Sequence, residues 1–186
     1  MIGMRIGVIS DTHGNSQVWQ QAWQQVLADC DLILHAGDIL APGPRNPITA
    51  GYNPPALAEA LNSLTRPWLA VRGNCDAEVD EMMLARQLPP LTQVHTSFGL
   101  LVITHGHQYD GPAGLIKLAK QQKARVVISG HTHVPVLLEQ EGTFLLNPGS
   151  PTLPKEDWPP TLAVVTERGI QLLNLQNGAV IKEINW

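Results

Sequence analysis

Seven side chains in this sequence are of types that hold metal ions, and each stands where an apolar run gives way to polar residues. They are Asp11 and His13 in SDTHG, Asp38 in HAGD, Asn74 in VRGNCD, His105 in THGH, and His131 and His133 in GHTH. Two carboxylates, one carboxamide and four imidazoles make a hard-to-borderline oxygen and nitrogen set without thiolate bias, suited to manganese, iron, zinc or nickel. Seven donors exceed what one ion ordinarily takes from a protein. The economical expectation is a pair of divalent ions about 3.5–4 Å apart with a bridging carboxylate, the arrangement of binuclear phosphoester hydrolases. Gly37, Gly73 and Gly130 immediately precede Asp38, Asn74 and His131, where close backbone approach would bring the side chains onto the ions.

Something must carry these fragments to one place. RIGVIS (5–10) and LILHAG (32–37) are short apolar runs that predict buried strands. Between them, residues 16–28 put Val18, Ala22, Trp23, Val26 and Leu27 on one helical face, with Ser16 as the expected N-cap. Strand, helix, strand is the βαβ pattern of a parallel sheet. A loop over 40–55 with five prolines follows, longer than a compact domain usually keeps without a use. Next come a helix over 56–65 and a strand over 68–74. After the acidic DAEVDEMM segment the pattern turns strand-rich, with a hairpin around Phe98-Gly99, a helix over 112–123, the strand RVVISGHTH (125–133), and four further apolar runs with tight glycine turns. The expected fold is α/β: a four-layer α/β/β/α sandwich of two mixed sheets flanked by helices, with residues 1–186 as a single domain. Loops at the carboxyl ends of parallel strands share one edge, so donors more than a hundred positions apart can converge there.

Composition narrows the function classes. The chain has 186 residues, 44% hydrophobic and 15% charged, with a net charge of −4. That is a globular composition with one sizeable core. No cluster of lysine and arginine offers a footprint for long nucleic acid. No apolar run is long enough to span a bilayer or to serve as a secretory leader, so no membrane partner is expected and a cytoplasmic location is the default. Cys30 and Cys75 lack C-x-x-C spacing, which argues against a disulfide framework.

The ordered set D-x-H, G-D, G-N, H and G-H-x-H resembles the metallophosphoesterase (calcineurin-like phosphoesterase) superfamily over nearly the whole chain. GDILAPGPRNP, VRGNCDAEVD, THGH, GHTHVPV and NPGS resemble its small bacterial phosphodiesterases in particular. The resemblance implies that Asp11, His13 and His133 hold one ion, that Asn74, His105 and His131 hold a second, and that Asp38 bridges them. It implies manganese, with zinc, iron or nickel also compatible. It implies hydrolysis of a small phosphodiester through a metal-bridging hydroxide, in the class of phosphoric diester hydrolases. Alternatives on the same fold are a phosphomonoesterase, a pyrophosphate-bond hydrolase, or a non-catalytic protein-interaction scaffold. Cys75 departs from the superfamily pattern, in which a histidine at that position contacts the scissile phosphate and assists the leaving group.

Asn74, His107 and Cys75 are therefore the candidate catalytic positions beside the ions, and Arg45, Asn74 and His107 the candidate substrate contacts. A bland reading stands beside each. His107 serves equally as a satisfied polar histidine, Arg45 as a solvated loop residue, and Cys75 as a small filler without nucleophilic role. His35 and His95 fall inside strands and read as structural. Trp19 and Trp23 read as buried helix-face residues, and Asn147-Pro148-Gly149-Ser150 as a turn ending a strand, which the resemblance places near the site. Strand edges in the second half would permit a homo-oligomer.

Overall fold

The computed structural model describes residues 3–186. One sheet contains β1 (Arg5–Ile9), β2 (Leu32–His35), β3 (Trp68–Ala70), β9 (Thr161–Thr166), β10 (Gly169–Asn174) and β11 (Val180–Asn185) in the order β11-β10-β9-β1-β2-β3. The second contains β4 (Leu91–Thr96), β5 (Gly99–Thr104), β6 (Val126–Ile128), β7 (Val136–Gln140) and β8 (Thr143–Asn147) in the order β4-β5-β6-β8-β7. Both sheets are mixed, as expected. β1, β2 and β3 run parallel in the first, and β5, β6 and β8 in the second, with antiparallel strands outside them.

Alternation along the strands sorts side chains into three apolar layers. Ile6, Val8 and Leu34 meet Leu101, Ile103 and Ile128 between the sheets. On the outer face of the first sheet, Ile9, Ile33 and Val164 take Trp19 and Ala22 of α1 (Ser16–Gln25) and Leu57 and Leu61 of α2 (Pro54–Asn62). On the outer face of the second, Val102, Val127 and Leu145 take Ile116 and Ala119 of α4 (Gly111–Gln122). The result is the expected α/β/β/α sandwich. Each fully buried aliphatic side chain contributes about 1.5–3 kcal/mol relative to exposure, so the middle layer fixes how the two sheets sit together.

Several boundaries differ from expectation for local reasons. The N-cap of α1 is Asn15, not Ser16. The Asn15 side chain accepts from the Val18 N–H at 3.0 Å and donates to Thr49 Oγ1 and the Ala50 carbonyl, tying the long loop to the helix. α1 stops at Gln25 and a single 3₁₀ turn covers Leu27–Asp29. Trp19 is buried, whereas Val18 and Trp23 are half-buried. α2 begins at Pro54, two residues early, because Asn53 caps it and proline suits the first turn. β3 and β6 are three-residue strands, since the backbone beyond them turns into the site. Two elements were not expected: α3 (Glu78–Met83) and β11. No helix among the described residues is long and apolar enough to cross a membrane.

Candidate metal centre

All six parallel strands point their carboxyl ends at one edge, and each delivers part of the site. β1 leads to Asp11 and His13, β2 to Asp38, β3 to Asn74, β5 to His105, β6 to His131 and His133, and β8 to the turn 147–150. The chain makes sharp reversals to do so. Asp11, His13, Asp38, His131 and His133 all have positive φ between 45° and 71°, a conformation that non-glycine residues hold only when their surroundings enforce it. Gly37, at φ 96°, could not carry a side chain, because a Cβ would lie 2.7 Å from His105 Nδ1. Gly130 is just as confined, with its Cβ position 2.6 Å from Asp11 Oδ2.

Three imidazoles are held alike. The Nδ1–H groups of His13, His105 and His133 donate to the carbonyls of Ala41 (2.9 Å), Ala36 (2.7 Å) and Leu153 (2.7 Å). Each ring is thereby fixed with Nε2 facing inward, the usual anchoring of ligating histidines. Asp11 is fully buried. Its Oδ2 accepts from Ser10 Oγ (2.6 Å) and from the His131 N–H (3.0 Å), but Oδ1 has no hydrogen-bond partner. Around that orphaned oxygen stand the Nε2 atoms of His133 at 3.3 Å, His13 at 3.8 Å and His105 at 4.0 Å. Asp38 Oδ2 lies between two of them, 3.9 Å from His13 Nε2 and 3.5 Å from His105 Nε2. Asn74 Oδ1 is 3.1 Å from His105 Nε2. The His131 ring stands edge-on to His105 with centroids 5.3 Å apart.

A ring of acceptors around a buried carboxylate oxygen calls for positive charge at its centre. Burial works against ionising Asp11, yet the close approach of His133 and the charge of His105 hold its carboxyl below the usual range. Burial likewise opposes charge on His105, but hydrogen bonding to Asp38 and the fields of both carboxylates raise it to about 9. A cation satisfies the same oxygens better than a single proton does. The donor set therefore fits divalent metal, and the groups Asp11–His13–His133 and Asp11–Asp38–His105 each converge closely enough to share an ion.

A cleft of about 560 Å³ opens over this centre, with Asp38, Asn74, Cys75, His131 and His133 in its lining and Arg45 and Lys155 beside them. The ion pairs of lysine and arginine among the described residues are Arg72–Glu81 and Lys120–Glu141, so Arg45 and Lys155 are free to meet an anion. His107 is exposed, with its ring centroid 5.4 Å from that of His105. It lines an adjoining recess rather than the cleft itself. The Cys75 thiol takes a contact from Asn74 Nδ2 at 3.2 Å. Burial, then hydrogen bonding to Asp38, pushes that thiol up to about 12, so it is not a thiolate nucleophile.

A family model described as the calcineurin-like phosphoesterase superfamily domain matches residues 4–169. The chain belongs to that superfamily. The match supports a metal-dependent phosphoesterase, in keeping with the donor set. Phosphodiesterase YfcE of Escherichia coli K12 is 33% identical over 183 residues, covering 97% of each chain. The solved structure of that phosphoesterase superposes with a TM-score of 0.87 over 98% of this chain and 99% of the other. A probable metallophosphoesterase of Methanothermobacter thermautotrophicus is 35% identical over 158 residues, 82% of this chain and 80% of the relative. Vacuolar Protein Sorting 29 of Cryptosporidium parvum, 19% identical over the full length of both chains, shares the fold with a TM-score of 0.74.

Sequence reasoning passed over Asp76, read His35 only as structural, and left the bracing role of the 147–150 turn unassigned. Asp76 is buried and accepts three backbone N–H groups: Gly73 (2.7 Å) and Asp38 (2.8 Å) on Oδ2, and Ile39 (2.8 Å) on Oδ1. It thus fastens the β2 and β3 loops together. His35 is buried with its tautomer fixed. Nδ1 accepts the Gly37 N–H, and Nε2–H donates to Thr12 Oγ1, whose own proton goes to the Ile39 carbonyl. Burial drives His35 down to about 3, so it stays neutral. Ser150 Oγ donates to the Asp11 carbonyl, and Asn147 Nδ2 to the Gly130 carbonyl, so the 147–150 turn is part of the scaffold of the site. For Asp76 the available signal was a carboxylate two positions from Asn74.

Proposed function

We propose that the protein is a phosphodiesterase that hydrolyses a small phosphodiester with two divalent ions. Asp11, His13 and His133 hold one ion, Asn74, His105 and His131 hold the other, and Asp38 spans them. The observation that carries this is the unpartnered Asp11 Oδ1 among three inward Nε2 atoms, with Asp38 Oδ2 within 4 Å of imidazoles on both sides. Manganese suits the mixed carboxylate, amide and imidazole set. When bound, such a pair supplies Lewis acidity at the phosphoryl oxygens and lowers the pKa of water near neutrality.

The chain's own residues supply the rest. Asn74 is exposed at the cleft wall and offers an amide N–H to a non-bridging phosphate oxygen. Arg45 and Lys155 offset charge on the same group from the cleft rim. Cys75 remains a thiol and fills space without attacking. No protein acid from that position protonates the leaving group, which favours diesters with stable leaving alcohols. An intact donor set supports an enzyme over a scaffold on this fold.

The test is turnover of bis(p-nitrophenyl) phosphate by chelator-stripped protein reloaded with Mn²⁺, Zn²⁺, Fe²⁺ or Ni²⁺. Hydrolysis restored by metal, with the diester preferred over p-nitrophenyl phosphate and pyrophosphate, is the expected result. Reloaded protein that is inert to the diester, or that prefers the monoester, would overturn it.

A further inference from the structure

Beside the cleft lies a second cavity of about 230 Å³, between the loop after β5, the start of α4, and the strands β7 and β8. Tyr109, Pro112, Leu115, Val136 and Leu146 give it apolar walls, and the imidazoles of His107 and His131 also face it. No lysine, arginine, aspartate or glutamate is among its lining residues. His131 and Thr132 line both this recess and the metal cleft, so the two cavities are neighbours across one short stretch of chain. A phosphoryl group held at the metal centre would lie beside the recess, across His131 and Thr132.

Size and chemistry narrow the occupant. The volume falls below the roughly 300–1,000 Å³ of pockets that engulf a whole small ligand, so the recess takes one part of a substrate. Absence of basic residues disfavours a second phosphate. The faces of Tyr109, His107 and His131 suit a planar ring, because aromatic groups gain from stacked and edge contacts beyond area burial. A polar handle is also present. Ser129 is only 6% exposed and lines the recess.

We infer that this recess seats an aromatic ring borne on one ester arm of the substrate, with Ser129 available to a ring heteroatom. The inference rests on the phosphodiesterase proposal and specifies its substrate class as ring-bearing diesters of the aryl or nucleotide type.

Rates of aryl and alkyl esters differ through leaving-group strength alone, so binding is the cleaner measure. The experiment is calorimetric titration of manganese-loaded protein with phenylphosphonate, n-butylphosphonate and methylphosphonate, none of which has a cleavable ester. Phenylphosphonate should bind about tenfold more tightly than methylphosphonate, about 1.4 kcal/mol, and at least about threefold more tightly than the butyl compound. In Leu115→Trp and Val136→Phe, which fill the recess, the phenyl-to-methyl ratio should fall towards one. Three affinities within twofold in the wild type would overturn the inference, as would a butyl compound equal to phenyl, which marks an alkyl site. An unchanged ratio in both filled variants, with circular dichroism showing the fold retained, would overturn it as well. The phosphodiesterase proposal fails separately: a protein that selects phenylphosphonate but cleaves no diester keeps the recess and loses the reaction.

Discussion

Asp76 touches no predicted ligand side chain, yet Asp76→Asn should damage the metal centre more than the fold. The carboxylate is 6% exposed and accepts from Gly73, Asp38 and Ile39. An asparagine oriented to keep the two bonds at Oδ2 must aim its NH₂ at the Ile39 N–H. One unsatisfied buried donor costs about 1–3 kcal/mol. Against this stands the buried charge itself. Burial raises the Asp76 carboxyl from 3.8 to about 6 despite its three donors, and that rise corresponds to about 3 kcal/mol returned when the charge is removed. The opposing quantities nearly cancel. Global stability should therefore change by no more than about 2 kcal/mol, which is at most roughly 8 °C in Tm for a chain of this size.

The shared anchor of the loops, however, is weakened. The Ile39 N–H beside Asp38 would face a second donor, and the two bonds that join Asp38 to Gly73 would lose their charge; weakening of such outer partners typically costs about 10–100-fold in metal affinity. The assay pairs thermal unfolding of the stripped protein with Mn²⁺ titration by calorimetry. Manganese affinity within twofold of wild type would refute the claim that Asp76 positions the site. A stability loss above about 4 kcal/mol would refute the cancellation.

Two further outcomes follow from the same geometry. Cys75→Ser should keep diester turnover within about threefold, since the thiol near 12 is protonated at any working pH; complete inactivation with metal still bound would contradict this, read by steady-state kinetics alongside metal analysis. His35 should make the fold acid-sensitive. Its folded pKa of about 3 lies below the ordinary 6.5, so the unfolded chain takes up the proton first as pH falls, and stability present above pH 6.5 is lost on the way towards 3. By pH 5 the loss from this group is about 2 kcal/mol. Urea unfolding at pH 7.5 and 5.0 should therefore show His35→Gln losing about 2 kcal/mol less than wild type over that interval, and equal slopes would refute the assignment.

The chemistry was more legible than the scaffold. Asp11, His13, Asp38, Asn74 and His105 sit just past apolar runs of period and length that read as strands, and their types differ sharply from their surroundings. β11 escaped notice because only Ile181 and Ile184 of VIKEIN pack inward, at a spacing unlike clean alternation. α3 has six residues, too few to show periodicity, and is started by Asp80 accepting the Ala77 N–H. Ser16 looked like a cap by type, but whether it or Asn15 caps depends on where the long loop docks. The supporting roles of Asp76, His35 and Ser150 are three-dimensional: each contacts backbone 2 to 139 positions away.

Asp11, Asp38 and Asn74 leave one sheet, whereas His105, His131 and His133 leave the other. The side chains sandwiched between the sheets therefore act as a shim under a two-jawed clamp. A methyl group added or removed at Val8 or Ile128, each fully buried, changes the gap between jaws without altering a single ligand. Preference among cations of different radius is thus inheritable through the greasy interior, and a search for residues that retune it belongs there as much as in the loops.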